Sequence, residues 1–148
     1  MTRSPLALLA VFLLAVPLMA LAEPRGLETW QHHHPEASRE LGDWVRAHPA
    51  AAERFFTWDG QHPARSRAFV DWAIGHPRLG LDAFVVEHRG WPIFDEIALH
   101  HRPGAEAFLA WTRRHPRAAE ALMNHPGGLE WAGKHLYADA WHLEHPNR

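Results

Sequence analysis

The chain of 148 residues contains no cysteine. Disulfides, thiol nucleophiles and lipid attachment at a leader-site cysteine are therefore excluded. A chain without disulfides must stand on packing alone, which suits a bacterial periplasm or medium better than a stapled extracellular module. Charge of one sign is also missing: the net charge is −2 with histidine neutral. No basic stripe runs along the chain, so neither nucleic acid nor an anionic membrane surface is an expected partner. Alternation of apolar and polar residues with period two is absent throughout, which leaves no candidate strand.

Catalytic signatures are equally scarce. Beyond residue 22, serine occurs only at Ser38 and Ser66, neither of them beside a histidine or an aspartate. There is no Gly-x-Ser-x-Gly, no His-Glu-x-x-His and no glycine-rich phosphate cradle. Asp95 and Glu96 are adjacent, but neighbouring positions on a helix do not face each other. The expectation is a protein that is not an enzyme; a small hydrolase using scattered carboxylates is the third choice.

The long apolar run Leu6–Ala22 follows Arg3 and ends in Ala20-Leu21-Ala22, a small-x-small cleavage pattern. Residues 1–22 read as a secretory signal peptide cut before Glu23, leaving 23–148 as one domain in a bacterial periplasm or medium. A retained anchor is the alternative. The run is at the short limit of the ~17–25 residues a span needs, and Pro17 interrupts it. No stable membrane insertion is expected once the leader is removed.

What the chain does have is 14 histidines and eight tryptophans. Trp30, Trp44, Trp58 and Trp72 each stand four residues before a histidine that is followed by proline: His34-Pro35, His48-Pro49, His62-Pro63 and His76-Pro77. Between these marks Leu41, Phe55 and Phe69 precede the next tryptophan by three, a helical spacing. Proline fits the first turn of a helix and drives the residue before it out of helical geometry. Each His-Pro therefore ends one helix and starts the next, with the histidine at the N-cap. The beat falters after Pro77 and returns with Phe108, Trp111 and His115-Pro116. Helices of about 10–11 residues do not persist alone and must bury their aromatic stripe on neighbours. The fold class expected is all-α: about seven to nine short helices from 14-residue His-Pro repeats, stacked antiparallel as a solenoid or a compact bundle. The pattern resembles short-helix His-Pro repeats in exported bacterial proteins, a likeness that names no family and implies no activity.

Imidazole is a common ligand of zinc, copper and nickel. Histidines at the repeat positions lie on separate helices, whose axes are ~8–10 Å apart, so capping and turn roles are expected of them. Three local clusters escape that geometry. His32-His33-His34 is a run near the leader junction, and Glu96 with His100 forms an i,i+4 pair beside His101. His135, Asp139 and His142 fall on one helical face and form the metal-ligand candidate, a set suited to Zn or Cu if another helix contributes. Most tryptophans read as core, with the indole N–H at a polar edge. Trp91 and Trp141 fall off the beat and, with His100 and His101, are the ligand-surface candidates.

The expected function is an exported, non-enzymatic helical-repeat protein, a binding or scaffolding module for an unknown protein or small ligand, without a cofactor. The runner-up is a periplasmic histidine-based metal binder or buffer.

Overall fold

Proline sets where the helices begin. In the computed structural model, which describes residues 27–134, α2 (Pro35–Ala47), α3 (Pro49–Gln61), α4 (Pro63–Gly75), α6 (Pro92–His100) and α8 (Pro116–Met123) all start on one. The remaining helices are α1 (Leu27–His33), α5 (Leu81–Glu87), α7 (Arg102–Arg114) and α9 (Gly128–Lys134). Among the described residues the fold is all-α, with nine helices packed against each other. None of them is long and apolar enough to cross a membrane.

At five junctions among the described residues a single histidine joins one helix to the next: His34, His48, His62, His101 and His115. His48 has φ −134° and ψ 57°, outside the helical region, as the following proline requires. Its N–H still donates to Trp44 O at 2.9 Å, and its carbonyl already accepts from Ala52 N at 2.9 Å. His34, His62 and His115 do the same. The N-cap position expected of these histidines is thus observed, but none of their side chains caps the helix that follows. The His62 ring turns back instead, its Nδ1 3.3 Å from Trp58 O. His76 and His88 do likewise, at 2.9 Å from Trp72 O and 3.1 Å from Phe84 O. Their charge environment is that of a preceding helix's C-terminus rather than a following helix's N-terminus.

Among the described residues, longer turns interrupt the beat at three places, residues 76–80, 88–91 and 124–127. After His76 the chain turns through residues 77–80 before α5, and Arg113 donates to the carbonyls of Pro77 and Leu79. Between α5 and α6 the turn needs φ +89° at Gly90, a conformation that costs glycine nothing.

Packing joins elements far apart in sequence: α2 meets α7, α3 meets α9, and α4 meets α8. Helix α7 lies at the centre, against α2, α3, α4, α5, α6 and α8. Phe55, Phe69 and Phe108 hold the same place in their helices, seventh from the start, and their rings converge. Phe55 and Phe108 are 4.3 Å apart between centroids, and Phe69 lies 6.1 Å and 6.0 Å from them. Apolar surface that a lone short helix would expose is thereby removed from water at a common point.

Candidate functional site

Several helix pairs share one contact. The tryptophan near the end of one helix reaches the third residue of another. Trp30 donates its indole N–H to Ala118 O at 2.8 Å, and Trp44 to Gly104 O at 2.6 Å. Trp111 donates to Ala37 O at 2.8 Å, so α2 and α7 exchange the same bond in both directions. The accepting residues are small and buried: Ala37, Gly104 and Ala118. A Cβ placed on Gly104 would lie 2.6 Å from that of Ala51, which shows how closely α7 approaches.

At α3 and α6 the same contact meets a different residue. Trp58 again reaches the third residue of its partner, but that residue is Phe94. The two rings meet edge to face, 4.8 Å between centroids. No acceptor among the described residues meets the Trp58 indole N–H, whereas Trp30, Trp44, Trp72 and Trp111 all donate. Phe94, buried, stands there in place of alanine or glycine. Between α3 and α6 lies an open trough of about 590 Å³.

Trp58, Pro92 and Ile93 supply its apolar surface. At one end the His62 imidazole stacks on Trp58, 5.9 Å between centroids and 17° between planes. The Arg65 guanidinium sits over the Trp91 ring, 5.8 Å from its centroid, in a cation–π contact. Arg54 pairs with Glu96 across the trough, tying α3 to α6. Two lining charges, Glu53 and Arg65, have no ion-pair partner among the described residues.

Two ionisable groups elsewhere are shifted. Asp59, buried on the inner side of α3, has its carboxyl held above the ordinary value by burial. A hydrogen bond with Ser66 opposes that shift and the charge of Glu130 adds to it. His115 lies between α7 and α8 with Nε2 against Glu40, which Arg114 also engages. Burial, and then the Arg114 charge, hold its imidazole below the ordinary value, with Glu36 opposing.

The candidates read from the sequence are dispersed. His135, Asp139, His142 and Trp141 lie outside the described residues, as does the leader 1–22. Trp91 is half-buried rather than exposed, packed on Trp58, Phe84, His88 and Phe94. His100 and His101 sit at the far end of α6, about 13 Å along its axis from Trp91. Glu96 engages Arg54 rather than His100. His32 and His33 are exposed. No three metal-ligating side chains gather among the described residues.

Sequence reasoning missed Arg65, although a signal was present. The third position of a unit is Ala37, Ala51, Gly104 or Ala118, all buried, but in α4 it is an exposed arginine. That departure from the repeat marks the trough. No protein-family model, curated protein or solved structure matches this chain.

Proposed function

We propose that this chain is an exported, non-enzymatic binding module and that its ligand site is the trough between α3 and α6. One observation carries the reading: an open trough of about 590 Å³ with an apolar floor, an indole N–H without an acceptor, and two unpaired charges. The volume lies in the range of ~300–1,000 Å³ usual for small-ligand sites, and a few polar groups over apolar walls suit one. The leader-like residues 1–22 support export, and the lack of catalytic motifs supports binding without chemistry. We infer too that the 14-residue unit is a structural repeat with its helices stacked antiparallel. The reciprocal indole bonds between α2 and α7 support this.

The test is an NMR screen of small aromatic and carboxylate compounds that follows the Trp58 indole N–H. Ligands should shift that resonance, and Thr57→Trp, which fills the trough from an exposed position, should abolish the shift. Ligands that move other tryptophans and leave Trp58 unmoved would place the site elsewhere.

A second reading is a histidine-based binder of zinc or copper, with His135, Asp139 and His142, which lie outside the described residues, as the candidate ligands. On that reading His135→Ala or His142→Ala lowers Zn²⁺ affinity strongly while His62→Ala leaves it unchanged. Equal losses from all three would mean diffuse chelation.

A further inference from the structure

The trough is dipolar, and its two free charges fix what it accepts. Glu53, Thr57 and Gln61 recur every four residues along α3, forming one exposed ridge that borders the trough. At 1.5 Å per residue the ridge runs about 12 Å. Glu53 stands at one end; the other end, beyond Gln61, turns at His62 into α4, where Arg65 lies. A neutral sugar would leave both charges unanswered. A fatty acid would satisfy Arg65 but lay hydrocarbon against Glu53, at a desolvation cost. A ligand with a cation at one end, an anion at the other and an apolar middle answers both.

We propose that the trough binds a short extended peptide with free termini, its carboxylate on Arg65 and its amine on Glu53. An extended chain rises about 3.3 Å per residue, so three to four residues span the ridge. Its side-chain repeat of about 6.6 Å nearly matches the ~6 Å between successive ridge residues, which brings the Thr57 hydroxyl and Gln61 amide beside peptide polar groups. Trp58, Pro92 and Ile93 receive an apolar side chain on the opposite wall. Capture of peptide termini by complementary groups is a recurring mode of recognition. This inference rests on the trough being the ligand site.

Calorimetry on the full chain tests it with the tripeptide Ala-Leu-Ala, its C-terminal amide and its N-acetyl form. Amidation or acetylation should each weaken binding by about tenfold or more, as loss of a charge-assisted hydrogen bond does. Arg65→Gln should remove the amidation penalty alone, and Glu53→Gln the acetylation penalty alone. Both residues are exposed, and unchanged melting curves confirm that the variants fold. Equal affinity for all three tripeptide forms, or penalties that survive both substitutions, would overturn the inference. Two outcomes separate it from the reading beneath it. If indole shifts the Trp58 N–H and Ala-Leu-Ala does not bind, the trough remains a site and the peptide inference falls. If neither probe moves Trp58, both fall.

Discussion

The α2–α7 pair and the α3–α6 pair are built from the same parts and end differently. In the first, a tryptophan meets a small third residue, the backbones close, and the indole N–H bonds a carbonyl in each direction. In the second, the tryptophan meets Phe94, and an open trough remains beside the rings. The difference lies in what the tryptophan meets: a small residue whose carbonyl it can reach, or a phenylalanine ring against which it packs. A helix carbonyl keeps a second lone pair beyond its own helix bond, and tryptophan at the tenth position reaches it only where the partner backbone comes close.

The largest effect that tests this comparison is loss of a closing tryptophan. Trp111 is 1% exposed and fills the centre of the α2–α7 contact. Trp111→Ala should cost about 3–5 kcal/mol, as truncation of a large buried aromatic side chain does. Trp44→Ala should behave alike. Denaturant melts measure both, and a cost below about 2 kcal/mol would mean that the pair is not closed as described.

A smaller effect comes from forcing α7 away from the start of α3. Gly104→Ala adds a Cβ 2.6 Å from that of Ala51 and 3.1 Å from that of His48. Those contacts involve short, rigid groups, so the helices must separate, at about 1–3 kcal/mol. The reverse substitution of kind, Ala118→Gly, leaves contact distance unchanged and should cost only about 0.5–1 kcal/mol from helix propensity. Equal costs at the two sites would show that backbone approach is not what glycine serves at position 104.

A third pair isolates the indole N–H. Trp44→Phe removes a donor to the second lone pair of Gly104 O, whose first serves its own helix, whereas Trp58→Phe removes one that bonds nothing among the described residues. The first should cost more than the second by about 0.5–1.5 kcal/mol, the net worth of one hydrogen bond. Identical costs would mean that Trp58 has a protein partner after all.

Much of the closed part was legible in the sequence. Proline before the helices, tryptophan at a fixed beat and Leu or Phe three residues before it are local signals with local causes, and they place the first residues of α2, α3 and α4, whose 13 residues each exceed the ~10–11 expected. Partner choice was not legible. Nothing in the spacing says that Trp44 meets Gly104 rather than a residue of the adjoining unit, because that depends on which chain-distant helix packs where. The histidine roles were legible in the backbone and misread in the side chain: a ring beyond a tryptophan folds back onto the helix just ended. The trough was readable only as a defect, Arg65 and Phe94 standing where other units carry small residues.

The smallest effects concern pH, and the two regions should respond with opposite sign. His115 adjoins the closed pair, among Glu40 of α2, Arg114 of α7 and the charge of Glu36, and its folded pKa lies below the unfolded value. The unfolded chain then binds the proton more readily. Stability from this site is complete above the unfolded value near 6.5 and is lost as pH falls through the folded one. Asp59 adjoins the open side, with Ser66 of α4 and Glu130 of α9 facing it, and its folded pKa lies above the unfolded value. Its contribution is complete below the unfolded value near 3.8 and is lost as pH rises through the folded one. Asp59→Asn keeps the shape, can still meet Ser66, and removes the buried charge. It should raise the melting temperature at pH 7.5 and confer no gain near pH 3.5, where the native carboxyl is already protonated. His115→Gln should do the reverse across its own window: its cost is largest at pH 7.5 and shrinks by pH 5. Melting curves of the two variants and the parent, at constant ionic strength from pH 3.5 to 7.5, measure both slopes. A gain from Asp59→Asn that persists unchanged at pH 3.5 would show that packing, not the buried charge, sets the stability of α3 at that position.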